Sequence, residues 1–574
     1  MKKILYMLVS LCVILTLTAC QKEDYDASNF LPNGTEDNPY QIVKEATTIE
    51  IFVPRGSSNP PFSTMKMFQK LSEITNLTFD FTEVDVSAYT QVRSAAWEDK
   101  NNLPDLFLFN NSVAEQVTYS QYGALVSFND DNLVSGGIEV GNLIENYMPI
   151  YNDLLENNFY MDTNDSAIDT ALFEDGMMYS TLSVNNVPRD LTFKMFINQK
   201  WIENLREDYP ALYGNLPDAV DIQTIEQYLE ILQAFKDGDP NRNGRTDDEI
   251  PVTAKEMQYL QQFILASYGY VSPGVELNAE GTEAVFVPAT DAYKQYLKTV
   301  KAMYNNGQGV LDPQVFSIKT DAQMAVKGNA GRLGSFSAAA PYLIVGYEGT
   351  AEGSVESYSE SDYVAFGPLT SSYYTGDPLQ WGFSNFQASG AVIPVGTSKV
   401  REVARLLDIM YSELGQQLIS YGEEGVDFTW DDEAKTSWTF QVPDDFTGTQ
   451  EDYRATLTPN VDTASALYWN YDFVGKMNDP IITKLNQMSE RYAPYLKETF
   501  PSAVKMTVDE YSTIELISSN IDVYLQSSDY DFITGNRDID SYWNTYISQL
   551  ENYRYQNLLD AYNDAYQRYL DQKK

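Results

Sequence analysis

The residues from Asp239 to Glu249, Asp-Pro-Asn-Arg-Asn-Gly-Arg-Thr-Asp-Asp-Glu, carry the sharpest chemical signal in the body of the chain. Asp239, Asn241 and Asn243 alternate ahead of Gly244, which places three side-chain oxygens on one side of a turn. A hard cation such as calcium takes an oxygen cage of this kind, completed by a backbone carbonyl (here Arg245) and by further carboxylates. The register is that of a D-x-[DN]-x-[DN]-G loop, with Asp239 first and Gly244 sixth. Its twelfth position is Ile250, so the usual closing glutamate is missing and Asp247, Asp248 or Glu249 must stand in. The competing reading is an Asn/Gly-rich turn with no metal. Calcium, if held here, is structural and pins a loop outside the binding pocket.

The other chemical signal stands at the start. Lys2 and Lys3 precede an apolar run from Ile4 to Leu17 that is short for a membrane span and ends Leu17-Thr-Ala-Cys20. This resembles the lipobox of bacterial lipoproteins, which implies cleavage before Cys20 and a diacylglycerol on its thiol. An ordinary signal peptide, or a buried first helix with a chance cysteine, is the alternative. The only cysteines are Cys12 and Cys20, so the mature chain keeps one and forms no internal disulfide. The expectation is an exported chain, tethered to the cell membrane by lipid alone and facing outside the cytoplasm. Residues 1–19 are then signal peptide, and 20–46, polar and turn-rich, are a flexible tether.

Composition removes most enzyme chemistry. No histidine occurs, which excludes Ser-His-Asp and Cys-His nucleophiles, HExxH zinc hydrolysis and every histidine proton relay. No GxxxxGK[ST] phosphate loop and no GxSxG elbow is present. Carboxylate chemistry, oxygen-ligated metal, or binding without chemistry remain. The formal charge is −44, about −46 once Lys2 and Lys3 are removed, which repels nucleic acid and anionic lipid. A length of 574 residues implies two large lobes or more. The 42 tyrosines and seven tryptophans favour surfaces that stack on something flat, although many must be core.

Elements must position these groups. Thr47–Val53 alternates as a strand ending at Pro54-Arg55-Gly56-Ser57, Met65, Phe68, Leu71 and Ile74 recur at helical spacing, and Leu77, Phe79 and Phe81 alternate again. Leu106–Phe109 is a further strand. Strand and helix in alternation predict an open α/β sheet, whose ligands sit beyond the carboxyl ends of its strands. A second such unit starts near Phe193, with a helix over 225–235, helical pattern over 257–268 and 293–304, and strands at 363–366 and 391–394. An amphipathic helix runs from Val400 to Leu414 with Ser398 as its N-cap, and the last hundred residues are mostly helical.

Two long stretches then resemble a known family. Phe193–Leu205 and Ala234–Pro251 look like the extracellular solute-binding lipoproteins of ABC transporters, in the branch that takes alginate and other oligosaccharides. Val400–Gly415, Ser420–Phe428, Phe532–Asn536 and Ala561–Tyr569 agree. The resemblance implies a periplasmic-binding-protein-like fold of type II: two α/β lobes, mixed sheets flanked by helices, closing on a carbohydrate. It places first-lobe chain at 47–192, the second lobe at 193–385, a return to the first at 386–450 and a helical C-terminal region at 451–574. It transfers calcium to Asp239, Asn241, Asn243, the Arg245 carbonyl, Asp247 and Asp248. Where relatives often have Arg-x-Asp-Trp, this chain has Asn198-Gln-Lys-Trp201, losing an arginine suited to an anionic ligand.

Sugars need flat aromatic faces and polar groups for their hydroxyls. Arg55, Asn59, Asn110 and Asn111 at strand ends, Trp97, and Tyr179 are the first-lobe candidates; Phe336 and Trp381 come from the second, and Trp430 follows Val426-Asp-Phe428. Each aromatic has core packing as its alternative. Function reads as a monomeric, non-enzymatic receptor handing a carbohydrate to the permease subunits of an ABC importer. A surface glycan-holding lipoprotein without transport and a carboxylate-type glycosidase are the competing readings.

Overall fold

The computed structural model describes residues 26–56, 59–100, 102–135, 137–157, 166–255, 257–346, 362–448, 450–460 and 467–573, so Cys20 lies outside the described residues. β1 (Thr47–Arg55) is laid down by the alternation of Ile49, Ile51 and Val53, all buried. α1 (Lys66–Thr75) buries Met67, Phe68 and Leu71 against it and stops where Asn76 turns left-handed at φ 59°. β2 (Leu77–Asp85) then pairs parallel to β1 in register Thr47↔Leu77, and β3 (Leu106–Leu108) pairs parallel on the other side. The short strand Ala391–Val392 closes that edge, antiparallel to β3. Sheet order is therefore 391–392, β3, β1, β2.

The second sheet has order β7-β4-β6-β5, from β4 (Lys194–Asn198), β5 (Ile250–Thr253), β6 (Leu333–Ala338) and β7 (Tyr363–Ala365). β4 runs antiparallel to β6 and β7, while β5 is parallel to β6, so the sheet is mixed. α2 (Ile225–Asp237) begins at a capping box between Thr224 and Gln227 and buries Tyr228, Leu232 and Phe235.

Two large cores result, with a small cluster of Val504, Met506, Ala565 and Tyr566 beside them. One gathers buried residues from Phe30 to Val187 and again from Phe386 to Met477; the other gathers Met195 to Leu369 and Leu485 to Leu559. The expected tether over 20–46 is therefore too long, because Phe30, Ile42 and Val43 are packed in the first core and Phe30 bridges to Val43. The chain thus passes between cores three times, near 187–195, 369–386 and 477–485. The third passage divides the expected C-terminal region: residues 467–477 pack in the first core, and the long helices α4 (Val508–Thr534), α5 (Ile539–Asn552) and α6 (Tyr555–Gln572) lie mainly on the second. Small sheets tie the passages together, Phe386–Gln387 with Ser183–Asn185 and Tyr468–Trp469, and Gln380–Trp381 with Leu496–Lys497.

One helix departs from the expectation. The segment from Val400 is helical only to Tyr411, its N-cap is Lys399 with no side-chain cap, and Ser412 caps a second helix, Glu413–Ser420. Ser398 does not cap. Lys399 instead reaches Asp105 at 2.8 Å, and its own N–H is taken by Thr397 Oγ1.

Candidate functional site

Two of the three passages, near 187–195 and 369–386, meet around a cavity of about 450 Å³. The turn between Asn185 and Lys194 supplies Arg189, Asp190 and Phe193; the return strand supplies Phe383, Asn385 and Gln387; the first lobe adds Asn110, Arg454, Asn460 and Trp469. Such convergence at crossing points follows from topology, since both lobes contribute backbone where the chain crosses.

Trp469 is the centre of the polar side. Its indole Nε1 donates to Asp190 Oδ2 at 2.7 Å, and the guanidinium carbons of Arg189 and Arg454 each lie 5.9 Å from its ring. Arg454 is held by Glu451 (2.7 Å) and by the Asn460 carbonyl (2.6 Å). Arg189 is looser: its Nε is 3.5 Å from Asp190 Oδ1, beyond the usual charge-assisted range, while its side chain is only 13% exposed. On the opposite side Phe193 stacks on Tyr259 (3.5 Å, 14°) and lies parallel to Trp381 at 6.2 Å, with Phe383 edge-on to Trp381 at 4.3 Å. Asn385 spends its amide on the Asn185 carbonyl.

Behind the wall, Lys194 is 1% exposed and donates to the carbonyls of Arg189 (2.7 Å) and Thr192 (3.0 Å), which curls the turn that presents Arg189 and Phe193. Burial pulls its ammonium down to about 8. The arrangement offers flat faces, amide and guanidinium donors and a few acceptors around an apolar flank, which is what a polyhydroxylated ring requires.

Of the residues singled out from sequence, Asn110 lines the cavity, held at φ 52° with its carbonyl taken by Arg93. Trp381 stands one ring behind it. The others lie elsewhere. Arg55 ion-pairs with Glu83 across β1 and β2 at 2.7 Å, and Asn59 is buried. Trp97 is stacked between Phe107 and Tyr119, and Phe336 is buried between Phe196 and Tyr363; both are core because their elements turn these faces inward. Asn111 ties β3 to the 390 segment through the Phe107 and Gly390 carbonyls. The Tyr179 hydroxyl donates to Asp175. Trp430 packs on Phe428 and Phe473 under Lys435. Sequence reasoning missed Arg189, Asp190, Arg454 and Trp469. The Pro188-Arg-Asp190 turn just before the crossing, and the aromatic cluster Tyr468-Trp-Asn-Tyr471, were the signals available.

The acidic loop connects α2 to β5, away from the cavity. Asp239 carboxylate oxygens accept from the backbone of Asn243 and Gly244, Asn241 Oδ1 accepts from the backbone of Asn243, and Asn243 Oδ1 accepts from that of Arg245. Gly244, at φ 82°, makes the turn possible. Asp248 sits beside the Asn243 amide, whereas Asp247 is largely exposed and spent on Arg245. Both carboxylate oxygens of Glu249 are buried with no hydrogen-bond partner among the described residues, and burial next to Asp248 and Asp239 pushes its pKa up to about 7. No cluster of three acidic side chains that could hold a metal occurs among the described residues. The loop's remaining oxygens come from asparagine and backbone, and an orphaned carboxylate beside them fits a hard cation.

No family model matches the chain. Its sequence is 24% identical over 453 residues to the fructooligosaccharide ABC transporter substrate-binding protein FusA of Streptococcus pneumoniae, covering 76% of each chain. The FusA structure with kestose matches 92% of this chain and 100% of FusA at TM-score 0.68 and 20% identity, and FusA has also been solved as an EF-hand mutant with fructo-nystose. An extracellular solute-binding protein of Bifidobacterium longum subsp. infantis matches at TM-score 0.72 and 16% identity, over 93% of this chain and 99% of that one. The alginate-binding protein AlgQ2, solved without calcium, matches at TM-score 0.66 and 17% identity, over 92% and 100%. The chain therefore has the fold of these solute-binding proteins, and its sequence is similar to that of a substrate-binding protein of an ABC transporter.

Proposed function

We propose that this protein is a non-enzymatic receptor that captures an oligosaccharide in the cleft between its lobes and delivers it to an ABC-type permease, held at the outer face of the cell membrane by a lipid on Cys20. The observation that supports it best is the cavity itself, in which Trp469, two guanidiniums and the Phe193 stack face one another across the crossings. The similarity to FusA, solved in complex with kestose and, as an EF-hand mutant, with fructo-nystose, agrees with it. Sugar that touches both lobes binds the closed form better than the open one and so closes the hinge. Calcium fits the loop after α2, where Asp239, Asn241, Asn243, the Arg245 carbonyl, Asp247 and Asp248 remain the proposed ligands and Glu249 joins them as a nearby carboxylate. Its chemistry there is charge neutralisation, joining α2 to the edge of the second sheet.

Calorimetry and small-angle scattering against neutral and acidic oligosaccharides test this. Binding with compaction and no release of reducing ends is expected. Arg189→Ala and Trp469→Ala should each cost about 1–3 kcal/mol of affinity. Release of reducing ends would instead establish the glycosidase, and binding without compaction the flat surface platform. If both variants bind as tightly as the parent protein, the cavity is not the site.

A further inference from the structure

The last helix does not end inside the lobe that anchors it. α6 buries Leu558 and Leu559 in the second core, stacks Tyr555 on Phe286 at 5.2 Å, and accepts the Ala284 N–H on Asn563 at 2.7 Å. Its C-terminal half then reaches the first lobe. Arg568 Nε lies 3.2 Å from Glu174 Oε1, and Lys573 Nζ lies 3.6 Å from Asp169 Oδ2. Arg568 is aimed by a bidentate pair with Glu510 near the start of α4, both contacts at 2.6 Å.

Packing around these pairs is loose. A cavity of about 200 Å³ lies between Phe173 and Glu174 on one side and Lys505 and Tyr569 on the other, and a second of about 250 Å³ lies between Tyr179 and Met506. Apolar contact across the seam comes from Val508 and Tyr511 resting on the first core. The seam also backs directly onto the cleft. Ser384, in the cleft wall, meets Ser502 Oγ at 3.1 Å, and the following residues Ala503 and Lys505 line the seam cavity. One layer of chain separates the two spaces.

We propose that this seam is an ionic latch, in which Asp169–Lys573 and Glu174–Arg568 stabilise the conformation whose two lobes enclose the cleft. The pairs join the two bodies where no cleft ligand reaches, and they are made in the conformer in which the cavity is bounded from both sides. A contact specific to one conformer biases the hinge, and affinity follows the population of the competent state. The four side chains are between 32% and 43% exposed, so the bias is modest and is screened by salt. Hence the affinity for an uncharged sugar should depend on ionic strength, although such a sugar brings no charge of its own.

This rests on the two-lobed receptor reading, and the test uses kestose, bound in the FusA structure, as its probe. The only cysteines are Cys12 and Cys20, so the mature chain with Cys20→Ser takes spin labels solely at introduced cysteines. Tyr122→Cys on the first lobe and Val326→Cys on the second replace side chains that are 72% and 73% exposed. Pulsed electron paramagnetic resonance then gives the interlobe distance distribution. Asp169→Asn with Glu174→Gln should lower the closed-to-open ratio about two- to five-fold at low salt. Salt at about 1 M should do the same to the parent chain and nothing further to the variant. The swap Asp169→Lys with Lys573→Asp should restore the parent distribution, and an unchanged melting temperature checks that each variant is folded. A distribution that moves with kestose but ignores these variants overturns the latch alone, as does a swap that fails to restore it. A distribution fixed under every condition overturns both the latch and the hinged receptor.

Discussion

At the scale of single residues, burial without a partner is the recurring theme. Asp529 receives the Tyr293 hydroxyl at 2.5 Å on one oxygen, while the other has no partner among the described residues. Burial raises its pKa from 3.8 to about 7. Between those values the folded protein keeps a proton that the unfolded chain has released, so this group's contribution to stability falls as pH rises through the window. Asp529→Asn is therefore expected to stabilise the protein by on the order of 1–3 kcal/mol at pH 8 and by less at pH 5. Asp408, raised to about 6 by burial, has the same sign and cancels in the comparison of variant with parent. Melting curves at the two pH values are the check, and a variant destabilised at pH 8 would show that Asp529 is charged at no cost. No histidine confuses the window.

At the scale of elements, the acidic loop decides how β5 enters its sheet. Arg332 donates to the Asp248 carbonyl at 2.7 Å, the Ile250 N–H is accepted by the Arg332 carbonyl at 2.7 Å, and Asn204 reaches the Pro240 carbonyl at 2.8 Å. Calcium held in this loop, as proposed, would stabilise the folded state by linkage, so chelation should lower the melting temperature by several degrees. Asp239→Ala should abolish that response and leave sugar affinity unchanged, because the loop lies outside the cavity lining. An unchanged melting curve on chelation, together with metal analysis finding no calcium, would make the loop a plain turn. The elements themselves differ in how well sequence announced them. β1, β2 and α2 are long and periodic, and their buried faces coincide with the spacing of Ile49-Ile51-Val53 and Tyr228-Leu232-Phe235. The break at Ser412 was hidden, because Leu407, Met410 and Leu414 keep helical spacing through it.

At the scale of the whole molecule, the two cores are joined by three crossings, and no described helix is long and apolar enough to cross a membrane. The proposed attachment rests on Cys20, which lies outside the described residues. Replacing Cys20 with serine should abolish incorporation of a labelled fatty acid and the cut before residue 20. Undiminished label in that variant would remove the lipoprotein reading.

Sequence alone determined the α/β class, the absence of histidine chemistry and the oxygen-rich loop, because each is set by local composition or by spacing within one element. It also pointed to the solute-binding family through two contiguous stretches, Phe193–Leu205 and Ala234–Pro251. Which aromatic rings face the cleft was decided only in three dimensions. Trp97 and Trp469 are equally conspicuous as letters and equally buried in the first core, yet Trp97 is stacked between aromatic rings while Trp469 lies beneath two guanidiniums and lines the cavity. The cavity is assembled from segments near 110, 189, 385 and 469, which are far apart in the chain. Contacts between residues so distant in sequence leave no periodicity to read, because they depend on how separately folded elements pack rather than on the propensity of any one of them.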